Sequence, residues 1–199
     1  MEFLHKIEDL KTTLRWGKVI SGNRSESTAE HSWRLAMMAF LLARELKLEI
    51  DIDKAIKIAL VHDLAEAITG DIPANLTRGN KDLTEEKRIN ETKAFEKFRD
   101  SLNVELGQEI NELWLEFEDF DTEEGKFVQG LDKIEAMVHA LDIDFNGFSR
   151  FDSIITYADE AVERYRPLGI LLGKVKNEFK IKYQEKGIEW KDEYNMFIN

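Results

Sequence analysis

The sequence predicts an all-α protein folded as one helical bundle. Two observations lead there. Apolar residues recur at the three- and four-residue spacing of a helix through most of the chain. Only two prolines and eleven glycines interrupt its 199 residues, which leaves few chain-breakers for a fold rich in turns. That length suits a single domain over residues 1–199 with a sizeable core.

Residues 2–16 place Phe3, Leu4, Ile7, Leu10 and Leu14 at helical spacing, which predicts a first helix ending in Arg15-Trp16-Gly17. A loop over residues 18–26 follows. The Gly17-to-Gly22 stretch imitates the start of a phosphate-binding loop but continues Asn23-Arg24, so a nucleoside-triphosphate loop is excluded. Ser27-Thr28-Ala29-Glu30 has capping-box spacing, so a second helix starts with Ser27 as its cap and carries His31 in its first turns. The helix dipole there favours neutral imidazole, the form that binds metals.

Residues 51–53 cap a third helix through residues 56–68, ended by Gly70 and Pro73. Its apolar positions are too dense for a surface helix, so it is expected to be buried on most sides and to organise the fold. Yet His62, Asp63 and Glu66 sit in its middle. Burying carboxylates is costly, and a metal ion is the simplest compensating charge. Adjacent residues project about 100° apart on a helix, so His62 and Asp63 both reach one ion in a groove. Glu66 follows at i+4 and i+3 and leans over the same face.

The loop from Asp71 to Asp82 is the most irregular stretch and is expected to border the site. Residues 84–102 read as a charge-rich amphipathic helix, residues 105–119 as another, and Asp121-Thr122 opens a helix reaching Leu141. Asp132 lies at the edge of that helix's apolar stripe, where pairing with Lys133 at the surface is the simplest reading of that residue alone. His139 lies seven residues on, about 10 Å along the axis, so it is expected to be a hydrogen-bonded core residue rather than a co-ligand. Residues 142–153 read as a loop containing Asn146-Gly147. Helices over residues 153–166 and 168–186 follow, broken at Pro167, and the tail from Trp190 packs on the body or on a second subunit.

The net charge of −12 argues against binding nucleic-acid polymers or anionic membranes through an overall basic surface. A small anionic substrate stays open, because a metal and a few arginines reverse the field locally. Zero cysteines exclude disulfides, thiolate metal sites and a cysteine nucleophile, and fit a cytoplasmic protein. The longest apolar run, residues 35–43, is far short of a membrane span, and no apolar stretch of a signal peptide follows Met1.

The candidate ligands are His31, His62, Asp63 and Asp132. Two imidazoles and two carboxylates suit Mn, Fe, Co, Ni or Zn better than Ca or Mg. The other two histidines are His5 and His139, and none lies between 62 and 132, so one ion is expected.

At this point the chain resembles the HD-domain metal-dependent phosphohydrolases, whose pattern is His31, then His62-Asp63, then a distant Asp132. Arg15-Trp16, Arg24-Ser25-Glu26-Ser27-Thr28-Ala29-Glu30-His31-Ser32, the stretch from His62 to Thr69-Gly70-Asp71-Ile72-Pro73, and Leu131-Asp132-Lys133 narrow this to the 5′-deoxynucleotidase branch. The resemblance covers about residues 10–145 and adds nothing specific to the C-terminal helices and tail, residues 153–199. It implies an all-helical HD-domain bundle, often a homodimer, that hydrolyses nucleoside 5′-monophosphates, preferably deoxy forms. It implies His31, His62, Asp63 and Asp132 as metal ligands, Glu66 as the proton-handling residue and Arg15 at the phosphate. Trp16 packs near C2′, and Asp71 holds the 3′-hydroxyl or orients the site. After Pro73 the chain departs from relatives that carry a lysine there, leaving Arg78 or Lys81 as the stand-in. Two alternatives stay open: an HD hydrolase of another phosphate ester, such as a nucleoside triphosphate or guanosine alarmone, and a non-catalytic nucleotide-binding regulator.

Overall fold

The computed structural model describes residues 1–20, 23–143 and 152–198. The expected loop at Asn146-Gly147 and part of the Gly17-to-Gly22 stretch lie outside them. The helices are α1 (Glu2–Lys6), α2 (Thr28–Glu45), α3 (Ile52–Val61), α4 (Glu66–Thr69), α5 (Ala74–Thr77), α6 (Lys81–Asp100), α7 (Val104–Asp119), α8 (Glu123–Asp142), α9 (Asp159–Arg164) and α10 (Gly169–Glu185). Strands β1 (Leu14–Lys18) and β2 (Ser25–Ser27) pair antiparallel with an irregular register.

The bundle is built around α8, not around residues 56–68. From Gly125 to Leu141 nearly every position of α8 is buried, including Asp132, Glu135 and His139. Helices α2, α3, α7, α9 and α10 surround it and share one core, with Leu35, Ile58, Leu131, Ile134, Met137 and Phe179 fully enclosed. A smaller core under α6 and α7 stacks Phe95 on Trp114 at 4.4 Å. Tyr194 of the tail is buried against Tyr183 of α10, so the tail packs on the body.

Two expected helices are interrupted, and the one expected over residues 153–166 is reduced to a 3₁₀ turn at Asp152–Ile154 and the short α9. The first gives way to a 3₁₀ turn at Ile7–Lys11 and then to β1, so Arg15 and Trp16 sit on a strand. The third ends at Val61. His62 Nδ1 lies 2.9 Å from the Ala59 carbonyl, where an uninterrupted helix would bring the Asp63 amide. The next amides bond three residues back, Leu64 to Val61 and Glu66 to Asp63, before α4 forms a single turn. Gly70, at φ 75°, ends that turn in a conformation that favours glycine.

The caps match expectation. Ser27 and Glu30 form the reciprocal capping box of α2, and the Asp51 side chain accepts from the Lys54 amide to cap α3. Helices α6, α7 and α8 begin at capping side chains of Asn80, Asn103 and Thr122.

Candidate active site

Three helices, one turn and one strand deliver the candidate residues from Arg15 to Asp132. The capping box fixes the start of α2 and so places His31, fully buried, one turn in. The tightened turn after α3 carries His62 and Asp63, and α4 carries Glu66. The middle of α8 carries Asp132. Strand β1 crosses the front, with Arg15 turned inward and Trp16 left at the rim, 39% exposed.

The four candidate ligands converge. His31 Nε2 lies 3.1 Å from Asp132 Oδ1 and 3.8 Å from Asp63 Oδ2, and His62 Nε2 lies 3.0 Å from Asp63 Oδ2. Donor atoms about 2.1 Å from one ion at right angles stand roughly 3 Å apart, so these separations fit a shared cation. The ligand atoms of His31, His62 and Asp63 all lie within 4.8 Å of one another, and Asp132 joins them through His31.

The imidazoles are oriented for this role. His31 Nδ1 is 2.9 Å from Glu135 Oε2, and His62 Nδ1 is 2.9 Å from the Ala59 carbonyl. Ionised carboxylate and carbonyl oxygens only accept, so each Nδ1 carries the proton and Nε2 is left as the inward-facing atom. Both Nε2 atoms are buried without a hydrogen-bond partner. Buried polar atoms left this way are costly, and a metal satisfies both.

The charges around the site are tightly opposed. Burial and Arg15 disfavour a charged His31, but the facing Asp132 and Glu135 carboxylates outweigh them and push it up to about 10. The same two carboxylates draw a cation to Nε2, and a metal bound there takes the place of that proton. Burial raises the Asp63 carboxyl, yet His62, Arg15 and His31 hold it well below the usual range. Asp132 is likewise held well below it, against burial, by Lys133 and His31. The expected Asp132–Lys133 pair exists at 2.8 Å, but Asp132 is buried.

Arg15 Nη1 donates to Asp63 Oδ2 at 2.9 Å, so its guanidinium reaches the candidate ligands. Glu66 is buried and accepts from Thr28 Oγ1 at 2.7 Å. Burial and the neighbouring Asp63 push Glu66 up to about 9, with Arg15 opposing and Asp71 adding to the rise. Burial also pushes the Asp71 carboxyl up, with Arg15 opposing and Asp63 adding to the rise. Trp16 meets His139 edge to face at 6.3 Å.

Arg78 donates to the Ser153 carbonyl at 2.9 Å. His139 is buried, as expected, but Glu26, Glu135 and His139 form a second acidic group. Arg34 Nη1, at 3.4 Å from Glu135 and 3.5 Å from His139, supplies its counter-charge. Glu135 and Thr28 escaped the sequence reading. The only trace of Glu135 is its place three residues after Asp132 on the same helix face. Thr28 reads simply as part of a cap.

Comparison with known proteins gives the family. The HD domain family model matches residues 7–157. The chain is 37% identical over 150 residues to 5′-deoxynucleotidase HDDC2 of Dictyostelium discoideum, covering 72% of this chain and 77% of that one. It is 36% identical over 152 residues to 5′-deoxynucleotidase hdd1 of Schizosaccharomyces pombe, covering 73% of each. A crystal structure described as a predicted metal-dependent phosphohydrolase from Magnetospirillum magnetotacticum superimposes with a TM-score of 0.74 at 26% identity, covering 92% of this chain and 95% of that one. With most of its length matched, and with His31, His62-Asp63 and Asp132 brought to one point, the chain belongs to the HD-domain family.

Proposed function

We propose that this protein is a 5′-deoxynucleotidase: a metal-dependent phosphohydrolase that removes the 5′-phosphate from deoxynucleoside 5′-monophosphates to give nucleoside and inorganic phosphate. The observation that carries this reading is the pair of buried, partnerless Nε2 atoms of His31 and His62 facing the carboxylates of Asp63 and Asp132. The curated relatives named as 5′-deoxynucleotidases support the choice of substrate.

His31, His62, Asp63 and Asp132 hold one divalent transition-metal ion, from among Mn, Fe, Co, Ni and Zn. When bound, such an ion offsets phosphate charge and acidifies water. Arg15, one hydrogen bond from Asp63, neutralises the phosphate further and orients it. Glu66, held by Thr28, moves the proton between the attacking water and the departing 5′ oxygen. Asp71 holds the 3′-hydroxyl, and Trp16 closes the space beside C2′. The residues offered for the chemistry include no nucleophile to be trapped covalently, so water attacks phosphorus directly.

No helix among the described residues is long and apolar enough to cross a membrane. A cytoplasmic homodimer completes the reading. Helix α2 leaves Trp33, Met37 and Leu41 exposed at four-residue spacing, a face suited to a second copy.

The deciding experiment is phosphate release from a panel of dNMPs, NMPs and NTPs, with each divalent ion restored after chelation. Release from dNMPs ahead of NMPs is expected. Hydrolysis of triphosphates with monophosphates untouched would overturn the assignment. Within it, Glu66→Gln should lower kcat by about 10²–10⁴ while leaving metal occupancy intact.

A further inference from the structure

A second cavity adjoins the metal-ligand cluster. It encloses about 230 Å³ between α8, α9 and the turn before α9, and Arg78, Lys133, Thr156, Tyr157 and Arg164 line it. Lys133 joins the two places. Its Nζ sits 2.8 Å from Asp132 Oδ2 and 5.2 Å from the centre of the Tyr157 ring, and the residue lines the cavity wall.

Order along α8 sets the direction. Gln129 and Lys133, on the cavity side, precede or flank Asp132, whereas His139, beside Trp16, lies seven residues later, about 10 Å along the axis. Lys133 is thus the contact through which a phosphate held beside Asp132 meets the cavity, while Trp16 meets α8 about two turns further on.

The lining selects what goes there. Three cations face one carboxylate, Glu160, in a chain whose net charge is −12. Each cation is steadied without being used up. Arg78 donates to Ser153, Arg164 lies 4.5 Å over the Phe120 ring and bonds Glu160 at 2.6 Å, and Lys133 bonds Asp132. A guanidinium has five donors and an ammonium three, so donors remain for a ligand. The volume is below the roughly 300–1,000 Å³ that encloses a drug-sized molecule, so the cavity takes a group rather than a whole nucleotide.

We infer that this cavity is a second phosphoryl subsite, which gives the centre an affinity for a diphosphate group, as in a nucleoside 5′-diphosphate, above its affinity for a single phosphate. The inference rests on the placement of the substrate phosphate proposed above. A charge-assisted contact to a second phosphoryl makes binding about tenfold tighter per 1.4 kcal/mol gained.

The test is calorimetric titration of the metal-loaded protein with two inert probes, inorganic phosphate and methylenediphosphonate. The diphosphonate should bind at least tenfold tighter. Arg164→Gln and Arg78→Gln should each cut that preference threefold or more without changing phosphate affinity, and Arg164→Gln should leave dAMP turnover unchanged. Any stripping of metal by the probe is common to wild type and variants, so the change on substitution is the readout. Equal affinity for the two probes, a preference that survives both substitutions, or an equal loss for both probes would overturn the inference. Turnover of dAMP by the same preparation judges the monophosphatase reading separately.

Discussion

His31 and Glu135 stand 104 residues apart in the chain and 2.9 Å apart in the fold. Glu135 accepts a hydrogen bond from the Nδ1–H of His31 and thereby aims Nε2 at Asp63 and Asp132. Removing such an orienting partner typically lowers metal affinity 10–100-fold. Glu135→Ala is expected to do the same here, with His62→Ala abolishing occupancy outright. Competition against a calibrated chelator measures both. A Glu135→Ala protein that retains wild-type affinity would show that His31 needs no such support.

That His31, His62, Asp63 and Asp132 belong together was legible in residue type and in the order they share with the HD-domain pattern, and the fold brings the four to one point. Their second partners were not. Nothing local to Glu135 tells which of the residues on a distant helix it will meet. Arg15 was expected on a helix because residues 3, 4, 7, 10 and 14 keep helical spacing. Strand β1 exists by pairing with Ser25–Ser27, and that is a non-local contact. Residues 56–68 read as one buried helix because every apolar position agreed. The break comes from a side chain, His62, bonding to the Ala59 carbonyl. The buried centre proved to be α8, whose polar residues Gln129, Asp132, Glu135 and His139 dilute the apolar signal while being buried themselves.

Trp16 stands at the rim of the site, braced against His139. If its indole fills the space beside C2′, shortening it admits a 2′-hydroxyl. Trp16→Ala should reduce the ratio of kcat/KM for dAMP over AMP about tenfold, mainly by improving AMP, since one group in an apolar pocket discriminates by roughly 1–3 kcal/mol. An unchanged ratio with lower activity toward both nucleotides would remove Trp16 from sugar selection.

Gly17 is where β1 presses on α8. A Cβ at this position would lie 2.3 Å from His139 Nε2 and 2.6 Å from its Cδ2. His139 is buried near Glu26 and Arg34, so it has little room to retreat. Gly17→Ala should cost about 1–3 kcal/mol through overpacking, or roughly 2–4 °C in Tm per kcal/mol for a chain of this size. It should also move Arg15, on the same strand, relative to Asp63, so nucleotide KM should rise with it. Thermal unfolding and steady-state kinetics on one preparation test both. A Tm within 1 °C of wild type would mean that the strand shifts without strain.

Glu91 on α6 gives stability a pH dependence whose sign follows from its surroundings. Burial pushes its carboxyl up to about 7, with Lys87 opposing and Glu118 and Asp63 adding to the rise. Lys87 Nζ lies 3.2 Å away, too little compensation for a side chain that is almost enclosed. Between pH 4.5 and 7 the folded protein therefore holds more proton at this position than the unfolded chain does. Stability falls as pH rises through that window, and the cost is complete above it. A shift of this size corresponds to on the order of 2 kcal/mol once screening is allowed for. Glu91→Gln should remove this share of the slope and leave the share that Glu66, pushed up to about 9 by burial, contributes. Comparing urea unfolding at pH 4.5 and pH 8 cancels any pH-independent loss from leaving Lys87 unpaired. The variant should gain on wild type between those two pH values by about that amount. A wild-type protein whose stability is flat across the window, and a variant that gains nothing, would place Glu91 in water rather than under α6.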